Sequence, residues 1–385
     1  MKNIIIYLSL NPDEGGKFQY SISLLEDLSK INNDKVRQVI AVYTVDHWKD
    51  YLYKFSINGY KITNKESKIY NILRKIIFEK LSLVLLWRKI NKYFSKRYKQ
   101  LKGLKPDIIF YPGNDTLAYE FDFKSIIPIF DLMHRYENFP EVKEPSVFYF
   151  REKHYKNICK YATSILVDSE LGKKHVLDCY KVDEKKIFVY PYKPPFYVKD
   201  YIEIDVIKKY NLPEKFFFYP AQFWKHKNHK VIIEAVKILK DEGLDIYFVF
   251  VGAKKNGYDE VVNLIKKYQL ENNFYILGYV SNDELVSLYK RAIALVFPSF
   301  FGPTNIPPLE ALALGCPIVV SDVYAHREQL KGNAKYFNPL DPLSLSKIIK
   351  ELYYHEKNDI SKLDIYAPNI LTWKILIDLL RNINL

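Results

Sequence analysis

The stretch Phe297–Asp322, FPSFFGPTNIPPLEALALGCPIVVSD, decides how this chain folds. A buried strand over Ala292–Phe297 runs into a loop rich in Gly and Pro. The loop opens a helix of small and apolar residues that ends at Gly315. A second buried strand follows at Pro317–Ser321. Strand, loop, helix and strand in that order form the βαβ unit of a parallel sheet. One carboxylate, Glu310, falls in the first turns of the helix, just after Pro307 and Pro308. A helix start offers free backbone N–H groups and the positive end of the dipole, which suit an anion such as a diphosphate. A nearby carboxylate suits the hydroxyls of a ribose or hexose, because it accepts two hydrogen bonds. The segment reads as a nucleotide-sugar cradle. An ordinary crossover with a solvated Glu fits the bare pattern as well.

Outward from this stretch, strands and amphipathic helices alternate. Apolar strands are expected at Asn3–Ser9, Val36–Tyr43, Asp107–Tyr111, Ile127–Asp131 and Thr163–Asp168. The rhythm breaks at Tyr190–Lys199, YPYKPPFYVK, where three prolines can continue neither a helix nor a central strand. It restarts with strands at Phe216–Pro220, Asp245–Gly252 and Phe274–Leu277. The expected class is α/β, with parallel sheets covered on both faces. The expected domains are 1–193 and 194–365, and the amphipathic end of the chain (366–385) reads as a helix. A chain of 385 residues is long enough for two such domains.

Net charge is +13, so the partners are expected to be anionic: a nucleotide, a phospholipid or a lipid diphosphate. The 33 Tyr and the abundant Lys, Ile and Asn fit the codon usage expected of an AT-rich genome. The three cysteines, Cys159, Cys179 and Cys316, have no paired or zinc-type spacing and read as buried thiols in a reducing compartment. The N-terminal apolar run enters a polar turn directly, as a first strand does, and no run is long enough to span a bilayer. These features point to a cytoplasmic protein, soluble or peripheral on the inner face of the plasma membrane. The basic stretch Lys68–Lys105 contains a single acid, Glu79, with interleaved Ile, Leu, Trp and Tyr. It fits the surface of an anionic membrane, and fits equally a core-packing helix with a solvated lysine face. No nucleic-acid module accompanies the charge, so nucleic acid is not an expected partner.

The run PPLEALALGCPIVVSD (Pro307–Asp322) resembles the C-terminal signature of family 4 of the retaining GT-B-fold glycosyltransferases. The family pairs two glutamates eight positions apart. Glu310 matches the second, which the resemblance associates with the ribose, and Gly302 stands where the first is expected. Thr304 and Asn305 would line the place of the missing carboxylate, and Ile306 beside them is a further donor-binding candidate. The segment FFFYPAQFWKHKN (Phe216–Asn228) resembles the family's phosphate-binding loop. Gln222 stands at its Arg position and Lys227 at its Lys position. The resemblance implies that Lys227 stabilises charge on the departing nucleotide. It further implies that Gly252, Tyr279 and Val280 hold base and ribose at strand ends, and that Gly16 in NPDEGGK lies near the donor phosphate. In IPIFDLMHRYENFPEV (Ile127–Val142), Phe130 replaces the usual His before Asp131, and His134 lies one turn on. Asp131 and His134 are therefore candidate catalytic groups beside Lys227 and Glu310.

The implied fold is GT-B, two Rossmann-like domains facing each other across a cleft. The terminal helix would cross back to the first domain. The implied activity is metal-independent transfer of a hexose, with retention, from a UDP- or GDP-sugar to a glycan. The acceptor would be lipid-linked and the pathway surface polysaccharide assembly. No cofactor is called for beyond the nucleotide-sugar substrate. Two other readings stay open: a nucleotide-sugar epimerase on the same fold, and a non-catalytic, membrane-docking binder of sugar nucleotides.

Overall fold

The computed structural model describes residues 2–31, 36–63, 65–354 and 372–382. The chain divides into two compact units. The first comprises Met1–Leu132, Tyr149–Pro191 and Leu371–Leu385, and the second Met133–Phe148 and Tyr192–Ile370. The segment Met133–Phe148, expected in the first domain, belongs to the second unit. Its Phe139 packs on Phe300 and Phe301, and its Glu141 accepts a hydrogen bond from His226.

The first unit is built on seven parallel strands. These are β1 (Lys2–Leu8), β2 (Val36–Tyr43), β3 (Asn58–Lys61), β4 (Ile108–Phe110), β5 (Ser125–Pro128), β6 (Ser164–Val167) and β7 (Ile187–Val189). They lie in the order β3-β2-β1-β4-β5-β6-β7. The second unit has six: β8 (Phe217–Pro220), β9 (Phe248–Val251), β10 (Phe274–Gly278), β11 (Leu295–Phe297), β12 (Ile318–Ser321) and β13 (Lys335–Phe337). Their order is β10-β9-β8-β11-β12-β13. Every pairing in both sheets is parallel. The central strands are unbroken apolar runs such as IIIYL, FVFV and IVV, buried on both faces as parallel sheets covered by helices require. Each order reverses direction once, between β1 and β4 and between β8 and β11, which is the doubly wound pattern.

Two differences from the sequence reading have local causes. The strand expected over Ile127–Asp131 ends at Pro128, and Asp131 lies beyond it in a loop. Strand β3 carries the polar sequence NGYK at the sheet edge, where no apolar signal marks it. The expected terminal helix occupies Thr372–Asn382 within the described residues and packs on the helix Gly16–Ser29 through Leu376, Leu379 and Leu380. Its start is tied down by a buried carboxylate. Asp27 accepts hydrogen bonds from the Thr372 hydroxyl and, at 2.7 Å, from the Tyr190 hydroxyl. Removing the acceptor leaves two buried hydroxyls without it. Asp27→Ala is therefore expected to lower stability by about 2–4 kcal/mol in denaturant unfolding, and Asp27→Asn by less, because its amide oxygen still accepts.

Candidate anion site at the switch point of the second sheet

In an open parallel sheet, the loops leaving two neighbouring strands diverge where the strand order reverses, and they leave a crevice at the strand C-termini. In the second unit those loops leave β8 and β11. The β8 loop carries Lys227 and the β11 loop carries Ser299 through Asn305.

The backbone around Lys227 is held on several sides. The Tyr219 hydroxyl donates to its carbonyl at 2.6 Å. Asn228, in the left-handed region at φ 54°, donates from its amide to the carbonyls of Pro298 at 3.3 Å and Pro339 at 2.9 Å. The His226 carbonyl accepts from Phe300 N–H at 2.8 Å, which joins the two loops directly. The Lys227 ammonium then lies 3.4 Å from Ser299 Oγ, 3.5 Å from Asn305 Oδ1 and 5.2 Å from the centre of the Phe297 ring.

A neutral histidine sets the orientation of Asn305. His326 Nδ1 lies 2.7 Å from the Ser321 carbonyl, which can only accept, so Nδ1 carries the hydrogen. Nε2 is then an acceptor and takes a hydrogen bond from the Asn305 amide nitrogen at 2.9 Å. With its nitrogen committed, Asn305 turns Oδ1 toward Lys227. Burial, with the Lys227 charge adding to it, lowers the His326 pKa to about 4. Burial likewise lowers His229 to about 3, again with a contribution from Lys227. Gln329 fixes the Asn305 backbone by accepting from its N–H at 3.1 Å and donating to its carbonyl at 2.7 Å.

The helix Ile306–Ala313 begins immediately after Asn305. Pro307 and Pro308 fall in its first turn and have no N–H, and the Asn305 N–H is committed to Gln329. The expected row of amides at this helix start is therefore thinned. Positive charge at the site rests on Lys227 more than on the helix end. Gly302 has φ +103°, a conformation that L side chains rarely adopt. A Cβ there would come within 3.0 Å of the Asn305 amide atoms and 3.1 Å of the Thr304 carbonyl. A side chain at this position would therefore strain the backbone and crowd the Asn305 amide.

Glu310, expected at the ribose, lies buried in the helix Ile306–Ala313. Only 5% exposed, it accepts from the Tyr197 hydroxyl on one oxygen and from the Tyr289 hydroxyl, at 2.6 Å, on the other. Burial raises its pKa, against the pull of the two tyrosine hydrogen bonds. Its first position in the structure is thus a bridge between two buried phenols, and it presents no open carboxylate.

The other candidates are dispersed. Gln222 accepts from the Trp224 indole at 3.0 Å. Gly252 permits a close backbone approach, since a Cβ there would lie 2.3 Å from the Ala221 carbonyl oxygen. Tyr279 is 84% exposed and Val280 is buried. Thr304 is buried and Ile306 half-buried at the helix start. Gly16, exposed, opens the first long helix of the first unit. Asp131, also in the first unit, forms an ion pair with Arg151. His134, in the second unit, is 0% exposed, with its ring edge-on to Phe148 at 5.4 Å. As built, it offers no open imidazole to a substrate. A cavity of about 410 Å³, lined among others by Trp224, Lys230, Glu260 and Leu340, lies beside the β8 loop but does not include Lys227 or Asn305. Ser299, His326 and Gln329 were not expected from the sequence. Ser299 alone had a signal, its place two residues beyond a strand end.

Residues 200–366 match the family model described as Glycosyl transferases group 1. It is 30% identical over 195 residues to the O-antigen chain mannosyltransferase RfbU of Salmonella typhimurium, covering 50% of this chain and 51% of that protein. It is 28% identical over 222 residues to O-antigen chain mannosyltransferase B of Escherichia coli, covering 52% of this chain and 58% of that one. The chain thus spans a little over half the length of these relatives. Among solved structures, it superposes on a glycosyltransferase from Rickettsia africae ESF-5 with TM-score 0.69 and 18% identity, over 99% of this chain and 98% of that one. Anabaena Alr3699/HepE in complex with UDP and glucose gives TM-score 0.66 and 13% identity, over 100% and 96%. The fold is that of GT-B glycosyltransferase structures, built on two parallel Rossmann-like sheets.

Two outcomes are expected. Gly302→Ala forces a side chain into a left-handed backbone and onto Asn305, and should cost about 1–3 kcal/mol in thermal or denaturant unfolding. The second concerns pH. His229 and His326 resist protonation when folded but accept protons normally, near pH 6.5, when unfolded. Their stabilisation is fully present above pH 6.5 and is lost as pH falls, at up to about 1.4 kcal/mol per pH unit for each ring. For His326 the loss runs down to about pH 4. Thermal unfolding between pH 7 and 5 checks this, and His326→Gln should flatten the dependence.

Proposed function

We propose that the chain is a retaining glycosyltransferase that moves a hexose from a nucleotide diphosphate sugar to a glycan acceptor. The observation that carries the reading is the Lys227 ammonium, oriented with Ser299 and Asn305 at the strand ends of the switch point. That is the place where a doubly wound sheet binds a nucleotide, and a single fixed cation suits a diphosphate. The matched family supplies the reaction class. The named activity of RfbU and of mannosyltransferase B makes mannose the first sugar to test, with a GDP-sugar ahead of a UDP-sugar. It also favours a lipid-linked acceptor in surface polysaccharide assembly.

In the reaction, the bond from the sugar anomeric carbon to the diphosphate oxygen breaks, and a bond to the acceptor hydroxyl forms on the same face. The acceptor proton passes to the departing diphosphate. Lys227 stabilises the negative charge that grows on that diphosphate, and Asn305 holds Lys227 in place. Catalysis by this route is mainly positioning and charge stabilisation. Glu310 acts by bracing the helix that follows Asn305 through Tyr197 and Tyr289. We assign no proton-transfer step to Asp131 or His134.

The test is a proton NMR time course with GDP-mannose and a panel of other UDP- and GDP-sugars. Each is run with and without a polyprenyl-diphosphate glycan. Acceptor-dependent nucleotide release with an α-anomeric product is the expected result. Donor conversion without acceptor would replace the reading with an epimerase. Lys227→Ala should lower kcat about 10²–10³-fold with an unchanged unfolding midpoint. A near-wild-type rate would remove Lys227 from the mechanism. Glu310→Gln should retain most activity, because an amide can still meet both tyrosines, whereas Glu310→Ala should lose stability.

A further inference from the structure

The basic stretch of the first unit has two faces. Inward, Tyr70, Phe78, Val84 and Trp87 are buried in the core. The arginines also turn inward. Arg74 pairs with the buried Glu120, Arg97 pairs with Glu66, and Arg88 donates to the Tyr119 carbonyl at 3.0 Å. To this extent the stretch is a core-packing element. A solvated lysine face would complete that description, but the outer face is something else.

Nine of the nineteen exposed large apolar side chains among the described residues fall within residues 69–94. Ile69 (72% exposed), Ile72 and Ile76 recur at helical spacing on the helix Lys68–Leu73 and the π-helical turn Arg74–Lys80 that continues it. Leu81 and Leu83 sit in the short loop that follows, and Leu85 (61% exposed) and Leu86 begin the next helix, Val84–Phe94. The two helical pieces pack against each other, so the loop is the tip of a hairpin. Tyr93 and Phe94 are exposed at its far end. Lys68, Lys75, Lys80 and Lys89 are exposed among these residues, and Lys96, Lys99, Lys102 and Lys105 follow. The stretch Lys68–Lys105 holds twelve of the 58 Lys and Arg and one of the 45 acids, so it carries +11 of the chain's +13. The single acid, Glu79, is paired with Arg74.

We propose that this hairpin docks on the surface of an anionic lipid bilayer. Its isoleucines and leucines would enter the headgroup–acyl boundary, and its exposed lysines would meet lipid phosphates. Charge complementarity favours lipid over a protein partner. Unpaired lysines flanking exposed aliphatic tips, with aromatic rings at one margin, match an apolar layer under a negatively charged one. A second copy of the same hairpin would bring two +11 segments together. No helix among the described residues is long and apolar enough to cross a membrane. The contact proposed is therefore interfacial. It is independent of the donor-site reading, because it needs neither nucleotide nor turnover.

The experiment is co-sedimentation of the full chain with phosphatidylcholine vesicles, with and without phosphatidylglycerol, over a range of salt. Binding should need phosphatidylglycerol and weaken as salt rises. The Leu85→Gln/Leu86→Gln double variant should weaken it at least about tenfold. Each of Lys75→Gln, Lys80→Gln and Lys89→Gln should weaken it about fivefold. All of these side chains are exposed, so circular dichroism and unfolding midpoint should stay unchanged. No binding to anionic vesicles at low salt would overturn the proposal, as would binding indifferent to both sets of variants. A dimer in solution that dissociates on Leu85→Gln/Leu86→Gln and does not bind vesicles would assign the face to a second copy instead.

Discussion

The candidate site depends on one uncharged histidine. His326 must donate from Nδ1 to the Ser321 carbonyl and accept at Nε2 from Asn305. A protonated ring could not accept, and Asn305 would lose the bond that aims its oxygen at Lys227. Burial keeps the ring neutral, and the Lys227 charge nearby acts in the same direction. The ammonium therefore helps to maintain the state of the group that positions it. The relay also joins the ends of three elements, since Ser321 closes β12, Asn305 precedes the helix Ile306–Ala313, and Lys227 follows β8. A shift in any of the three would move the ammonium. Such coupling suits a site whose work is to place one cation against developing negative charge.

Tyrosine has a recurrent task in this chain. Buried phenols hold buried acids in place: Tyr190 on Asp27, and Tyr197 and Tyr289 on Glu310. A phenol is long, stiff and apolar except at its tip, so it can reach a carboxylate across a packed core and satisfy it without a second charge. The placement of these tyrosines at buried acids is a structural matter. Glu310 shows the consequence. The residue expected at the ribose has both carboxylate oxygens held by buried tyrosine hydroxyls.

The sheets were legible because the central strands, covered on both faces, are runs of apolar residues such as IIIYL, FVFV and IVV. Edge strand β3, NGYK, carries no such requirement and left no trace. Lys227 was legible as a cation just past a buried strand. His326 and Gln329 were not, because each acts through hydrogen bonds to Asn305, twenty-one and twenty-four positions away, and no local pattern encodes such a pairing. The thinning of helix N–H groups by Pro307 and Pro308 was written in the sequence, but its weight depends on where the helix begins. In the basic stretch, composition could count the cations but not say which turn inward. The arginines do, since a fork of donors can satisfy a buried acid or carbonyl, and most of the lysines stay out.

The account stands most directly on whether Lys227 binds a diphosphate. Calorimetric titration of GDP and UDP, beside guanosine and uridine, into the wild-type chain and into Lys227→Ala addresses that point. The expected result is that the diphosphates bind the wild-type chain well above their nucleosides, and that this advantage largely disappears in Lys227→Ala while the weak nucleoside binding does not change. Equal affinity of the two chains for the diphosphates would contradict the account and place the nucleotide site away from the ends of β8 and β11.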